Sequence, residues 1–202
     1  MALSKLLIAS NNIGKIQEYT ALLQGLPLEL TSPAQENLTG QPEENGTTFT
    51  ENACLKARYF AEQCNYYIMA DDSGLQVDAL SGEPGIYSAR YAGPNATDEE
   101  RNQQLLRKLV GVPWPERTGQ FKCVIALIRP DGRETTYCGT RPGVIGLESK
   151  GTYGFGYDPV FYIPELGQTF AELGPTLKNQ WSHRATAARK LALALAKELT
   201  TP

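Results

Sequence analysis

The stretch Phe121-Lys122-Cys123-Val124-Ile125-Ala126-Leu127-Ile128 is rich in β-forming residues, Pro130-Asp131-Gly132-Arg133 has turn chemistry, and the segment from Thr135 to Thr140 can return as the partner strand of a hairpin. Hairpin strands run antiparallel, so a purely parallel sheet is excluded and a mixed or antiparallel one is implied. Upstream, Tyr67-Ile68-Met69-Ala70 is a second apolar strand, expected to stop at Asp71-Asp72-Ser73-Gly74. The run from Lys5 to Ala9 stops at Ser10-Asn11-Asn12, and Ile16, Tyr19, Leu22 and Leu23 follow at helical spacing, so strand, polar turn and helix are predicted in that order.

Two capping boxes mark further helices. Thr48-x-x-Glu51 heads an amphipathic pattern of Phe49, Ala53, Ala57, Phe60, Ala61 and Cys64, expected to run to about Cys64. Thr97-x-x-Glu100 heads a stripe of Leu105, Leu106, Leu109 and Val110, ended by Pro113 and Pro115. Downstream, the Gly-rich stretch from Gly151 to Gly156 precedes Tyr157-Asp158-Pro159 and the strand-like Val160-Phe161-Tyr162. A last helix begins near Ser182 and carries Ala188, Leu191, Leu195 and Leu199 inward, with Lys190 and Lys197 facing water.

A chain of 202 residues can bury a core without disulfides or a structural metal, so one domain over 1–202 is expected, with room for two lobes. The net charge of −3 argues against gripping a nucleic-acid backbone, which needs many lysines and arginines, but permits a small phosphorylated ligand. Cys54, Cys64, Cys123 and Cys138 form no C-x-x-C pair and His183 is the only histidine, so the common zinc spacings are missing. The cysteines read as reduced and mostly buried. The apolar run near the N-terminus is too short for a signal peptide and no run reaches membrane-spanning length, so a cytoplasmic protein is expected, with neither membrane nor nucleic acid as partner.

Three constellations carry chemistry. In Ser10-Asn11-Asn12-Ile13-Gly14-Lys15, backbone N–H groups, a helix N-terminus and a Lys ammonium can converge on phosphate, although the spacing is not that of a Walker A loop. The plainer reading is that Ser10 or Asn12 caps the helix and Lys15 is solvated. Asp71 and Asp72, with Glu43 and Glu44 upstream, are hard oxygen donors suited to Mg²⁺, and one of them can instead accept a proton from an attacking water; a simple Asx turn is the alternative. The third constellation joins Phe155-Gly156-Tyr157-Asp158 to Lys178 and to Ser182-His183-Arg184, an aromatic that can stack on a base beside cations that can meet an anionic or carbonyl-bearing ligand. A lone histidine is more often structural, so His183 is weak by itself.

Six ordered motifs bring a family into view. Ser10-Asn11-Asn12-x-x-Lys15, Glu51-Asn52-Ala53-x-x-Lys56-Ala57, Ala70-Asp71-Asp72-Ser73-Gly74-Leu75, Pro84-Gly85-Ile86-Tyr87-Ser88-Ala89-Arg90-Tyr91, Phe155-Gly156-Tyr157-Asp158-Pro159 and Ser182-His183-Arg184 resemble the Ham1-like inosine triphosphate pyrophosphatases, from about Lys5 to the final helix. The resemblance implies an elongated Maf/Ham1-like α/β fold with a central mixed sheet, flanking helices, a cleft between two lobes, and a homodimer. It implies hydrolysis of noncanonical purine nucleoside triphosphates (ITP, dITP, XTP) to the monophosphate and pyrophosphate. Asp72 becomes the proton acceptor and a Mg²⁺ ligand, helped by Glu44 or Glu43. The segment Ser10, Asn11, Asn12, Ile13, Gly14 and Lys15 becomes part of the triphosphate site together with Ser73, while Phe155, Gly156, Tyr157, Asp158, Lys178, His183 and Arg184 surround the nucleotide. Many relatives begin the first motif with Thr-Gly-Asn, whereas here Asn11 adds a side chain beside the retained hydroxyl of Ser10.

The resulting expectation is Mg²⁺-assisted attack of water on the α-phosphorus, with Arg184, which can only donate, favouring a carbonyl at purine position 6. Two rivals are a nucleotide-binding regulator without turnover, disfavoured because paired acids repel phosphate, and a Maf-like pyrophosphatase with another base preference.

Overall fold

The computed structural model describes residues 4–40 and 42–200. Strand β1 (Ser4–Ile8) leads to helix α1 (Ile13–Leu22) and strand β2 (Leu28–Thr31), and then come α2 (Phe49–Ala61), β3 (Tyr67–Val77), α3 (Asp98–Lys108), β4 (Thr118–Ile128), β5 (Glu134–Ile145), β6 (Phe161–Ile163), β7 (Gln168–Thr169), α4 (Pro175–Trp181) and α5 (His183–Thr200). The strands form one open sheet in the order β2-β1-β3-β4-β5-β6-β7. β1 is parallel to both β2 and β3, whereas β5/β6 and β6/β7 are antiparallel. The sheet is therefore mixed, as the hairpin segment implies. Its turn closes where Gly132 N–H donates to the Arg129 carbonyl at 2.9 Å, with Gly132 at φ 84°, a conformation glycine adopts without steric cost.

The chain forms two compact units, each built from separate segments: residues up to 72 with 123–139 and those from 184 onward, and residues 73–122 with 140–183. In the first unit, Leu6, Ile8 and Met69 of the parallel strands and Cys123, Ile125 and Leu127 of β4 meet Tyr19 and Leu23 and the inner face of α5, Ala188, Leu191 and Leu195. In the second, Phe121 packs against Phe161 at 4.5 Å and lies flat on the His183 ring at 4.6 Å, above Leu75, Leu105, Leu109 and Phe170.

Several expectations shift. β3 does not stop at Asp71 but continues to Val77, because the residues after the acidic pair are again mostly buried and extend the sheet. α2 ends at Ala61 and not at Cys64. α3 ends at Lys108, and Val110 is 78% exposed beside Gly111 at φ 85°, so it leaves the apolar stripe. Cys138 is exposed, while Cys54 and Cys123 are buried, and all four cysteines are free. Among the described residues no helix is long and apolar enough to cross a membrane.

Leu191 is fully buried in the first unit's core. Leu191→Ala should lower the unfolding free energy by about 2–5 kcal/mol, measured by urea denaturation, because little space can collapse onto the lost side chain.

Candidate functional site

β1 pairs with β3 through Leu6–Tyr67, Leu7–Ile68 and Ile8–Met69, and there β1 ends. β3 runs on, so Asp71 and Asp72 lie just past the carboxyl end of its parallel neighbour, the region of an α/β sheet where ligands bind. Successive strand residues point to opposite faces. Asp71 shares the face of Met69, toward α1 and α5, and Asp72 shares that of Ile68 and Ala70, toward α2.

The partners follow those faces. Lys15 Nζ lies 3.0 Å from Asp71 Oδ2, Arg184 Nη2 lies 3.8 Å from the same oxygen, and the Cys123 thiol lies 3.9 Å away. Arg184 is braced in turn by Glu18, Nη1 to Oε2 at 2.7 Å, and its guanidinium lies over the Tyr19 ring. On the other face, Lys56 Nζ meets Asp72 Oδ1 at 3.3 Å and Glu44 Oε1 at 2.9 Å. Asn52 Nδ2 donates to Asp72 Oδ2 at 3.3 Å, and Asn52 Oδ1 accepts from Gly46 N–H at 2.9 Å, tying the loop that carries Glu44 to the helix that faces Asp72. A side chain at position 46 would collide with Asn52, so that approach requires glycine.

The two carboxyls are pushed apart electrostatically. Burial opposes ionisation of Asp71, but Lys15, Arg184 and Lys56 outweigh it and hold the carboxyl well below the usual range. Burial dominates at Asp72 and raises its pKa against the pull of Lys56 and Lys15, with Glu44 and Asp71 adding to the rise. Lys56 keeps a raised pKa because Asp72, Asp71 and Glu44 outweigh its own burial. Burial likewise pushes the Cys123 thiol up to about 12, so it stays a neutral neighbour of Asp71.

Among the described residues no three His, Cys, Asp or Glu side chains form a protein-only metal cage. Mg²⁺ seldom needs one, since it takes one or two carboxylates and completes its shell with water and substrate phosphate. Asp72 and Glu44 fit that demand, because both already converge on one cationic point, the Lys56 ammonium. Glu43 is exposed.

The turn after β1 is capped as its sequence suggests. Asn12 Oδ1 accepts from Lys15 N–H at 3.0 Å, and Asn12 N–H donates to Ser10 Oγ at 3.2 Å. Asn11 and Ile13 are exposed, Gly14 lies in the first turn of α1, and Lys15 reaches back to Asp71. Capping and phosphate binding are compatible here, because the cap occupies one N–H and leaves Lys15 directed at the acidic pair.

Ser73 follows Asp72 along β3 and opens the second unit, where the third constellation forms a tight knot. Asp158 Oδ2 accepts from Phe155 N–H at 2.8 Å and from Lys178 Nζ, whose ammonium lies 4.6 Å from the Phe155 ring centre. Gly154 stands at φ 79°, and a Cβ there would run into the Asp158 carboxylate. Tyr157 is buried, donates to the Ser88 carbonyl at 2.9 Å, and has its phenol pKa raised by that burial. His183 is 3% exposed and stacks on Phe121. Arg184, the next residue, instead makes its Asp71 and Glu18 contacts in the first unit.

Sequence reasoning assigned no site role to Lys56, Asn52 or Glu18. The signal for the first two was present: Asn52 and Lys56 sit four residues apart in a helix and so share one face.

A model of the Ham1 family matches residues 6–194, and the chain belongs to that family. A Geobacter sulfurreducens protein named dITP/XTP pyrophosphatase is 48% identical over 185 residues, covering 92% of this chain and 93% of the relative. An Exiguobacterium sibiricum protein of the same name is 46% identical over 191 residues, covering 95% and 96%. Among solved structures, a HAM1 protein from Coxiella burnetii matches with a TM-score of 0.88 at 40% identity, covering 96% of this chain and all of that one. The Staphylococcus aureus Ham1 protein matches at 0.86 and 43% identity, covering 96% and 99%. The mixed sheet with flanking helices is thus the fold of Ham1 proteins.

Asp71 supplies a pH test. Its pKa is depressed on folding, so its stabilisation is present above the unfolded value of about 3.9 and is lost as pH falls from there toward the folded one. Asp71→Asn should destabilise by about 3 kcal/mol at pH 7, since it strands buried cations. The gap to the parent protein should narrow at pH 3. Denaturant midpoints at both pH values check this, and a gap that widens on acidification contradicts the assigned ion pairs.

Proposed function

We propose that this Ham1-family chain is a hydrolase that converts noncanonical purine nucleoside triphosphates, ITP, dITP and XTP, to the monophosphate and pyrophosphate. The observation that carries the reading is the acidic pair beyond β1, with Asp72 and Glu44 sharing Lys56 on one face and Asp71 holding Lys15 on the other. The relatives named dITP/XTP pyrophosphatase support it.

We assign the general-base role to Asp72. A carboxyl whose pKa is raised by burial takes a proton more readily than an ordinary one, and Asn52 orients its second oxygen. Lys15, Lys56 and the N–H groups at the start of α1 supply positive charge for triphosphate oxygens, with Ser10 to Gly14 and Ser73 as neighbouring polar contacts. Asp72 and Glu44 would hold a Mg²⁺ ion, which would supply charge neutralisation at the phosphates. Water, giving its proton to Asp72, adds to the α-phosphorus and pyrophosphate departs with the bond electrons, so the new P–O bond lies in the monophosphate. In H₂¹⁸O the label should appear in the monophosphate, and label confined to pyrophosphate overturns attack at that centre.

Base recognition is assigned to the second unit. The Phe155 ring offers a stacking face, and Lys178 and His183 offer donors to a carbonyl at purine position 6, with Gly156 to Asp158 shaping the loop. The amino group of ATP would leave buried donors unpaired at about 1–3 kcal/mol each, roughly tenfold to a hundredfold in kcat/KM. Arg184, which pairs with Asp71 and Glu18, is assigned to the acidic site, so Arg184→Ala should lower turnover of ITP and ATP in similar proportion. A loss confined to ITP would return it to base selection.

A small-molecule substrate in place of nucleic acid accords with the net charge of −3. The family resemblance supports a homodimer, which light scattering tests, and a free nucleotide substrate accords with a cytoplasmic location. The deciding assay is pyrophosphate release from ITP, dITP, XTP, GTP, ATP and UTP with and without Mg²⁺. Preference for ITP and XTP that needs Mg²⁺ is expected, while binding without turnover supports a regulator and a pyrimidine preference supports the Maf-like reading. Asp72→Asn should reduce turnover of every substrate by about a hundredfold or more, since it removes both the base and a metal ligand.

A further inference from the structure

The loop of residues 155–158 is held from one side by Asp158 and Lys178, and from the other by a helix with no role so far. Asp98 and Asn102 are four residues apart on α3 and share one face. Gly156 N–H donates to Asp98 Oδ2 at 2.6 Å, and Asn102 Nδ2 donates to the Gly156 carbonyl at 3.0 Å. Both polar groups of one residue are thereby bound to one helix. Gly156 stands at φ 63°, a left-handed conformation, so local backbone preference supports that geometry only because the residue is glycine.

α3 is a firm anchor. Its start is closed by the Thr97–Glu100 capping box, and Leu105 and Leu109 are fully buried. Arg101 Nη1 donates to the carbonyls of Ala89 and Ala96 at 2.7 and 2.8 Å. Asn102 is 3% exposed, and its Oδ1 is buried with no hydrogen-bond partner among the described residues. A buried acceptor left unpaired costs stability that an apolar residue would avoid, so the value of an amide here lies in the donor it gives to Gly156.

We infer that Asp98 and Asn102 are specificity-determining positioning residues: they clamp Gly156 and thereby set where Phe155, Asp158 and Lys178 stand to receive the purine base. The inference rests on the reading of this loop as the base site. The chain of contacts is short, because Gly156 adjoins Phe155, and Asp158 binds both the Phe155 N–H and Lys178.

The test uses the full chain and four variants. Asn102→Asp keeps the shape but sets an acceptor against the Gly156 carbonyl, and Asn102→Ala removes the donor. Asp98→Ala removes the acceptor, whereas Asp98→Asn retains one oxygen for Gly156 N–H; both give up the carboxylate that pairs with Arg101, so their difference isolates the bond to Gly156. Asn102→Asp and Asp98→Ala should raise KM for ITP about tenfold and shrink the ITP-to-ATP ratio of kcat/KM by a similar factor, with kcat changed less than about threefold. Asp98→Asn should recover most of the loss. Hydrogen exchange at residues 154–158, read by mass spectrometry without substrate, should quicken in the same two variants and not in Asp98→Asn. Unchanged exchange there overturns the clamp. Quickened exchange with KM and selectivity unmoved overturns the specificity role, and a parent protein that does not prefer ITP overturns the base-site reading, while exchange still decides the clamp.

Discussion

The site depends on a mismatch of strand lengths. β1 ends at its pairing of Ile8 with Met69 while β3 continues, so two successive acidic residues sit in extended backbone where the neighbouring strand has stopped. The regular alternation of a strand sends their side chains to opposite faces, and each face meets different helices. Helix α1 starts from the same strand end and brings Lys15 to Asp71, while α2 crosses the other face and brings Asn52 and Lys56 to Asp72. One backbone device thus yields two carboxyls with separate environments.

Burial makes the separation consequential. Asp71 is 3% exposed and Asp72 7%, so neither can rely on water to support its charge. An uncompensated buried charge is expensive, which is why Lys15, Lys56 and Arg184 gather here and why Glu18 in turn balances Arg184. With more cationic neighbours, Asp71 stays ionised and acts as a fixed counter-charge. Asp72 has the weaker compensation and the higher proton affinity, so two adjacent carboxyls of one dipeptide differ in their readiness to bind a proton.

The second unit solves a different problem, the placing of irregular backbone. Residues 154–158 cannot rely on a sheet ladder, so their polar groups find Asp98, Asn102, Asp158 and the Ser88 carbonyl. The Phe121, Phe161 and Phe170 cluster with the stacked His183 ring gives that loop a rigid base. His183 is held by aromatic packing here, and Lys178 lies against both Phe155 and Asp158.

Local patterns determined much of this by themselves. The N-cap at Thr48, where Glu51 closes on Thr47 and so leaves the box incomplete, the full capping box at Thr97, the turn at Asp131-Gly132, the apolar face of α5 and the mixed character of the sheet all depend on neighbours within a few residues, so the order of residues is enough to read them. Asp72, Lys15 and the stretch from Phe155 to Asp158 stand out as candidates in the sequence, because an acidic pair, a lysine in a polar turn and a glycine-rich run are local features. What lay beyond local reading was pairing at a distance: the continuation of β3 past Asp72, the short strand β2, the choice of Glu44 over Glu43 as the partner of Lys56, and the grip of Asp98 and Asn102 on Gly156, 58 residues from Asp98. Adjacent residues in sequence can also part company in space, as His183 on Phe121 and Arg184 on Glu18 demonstrate. Periodicity states which face a side chain occupies, but the partner waiting on that face is supplied by another segment, and only the folded chain brings the two together.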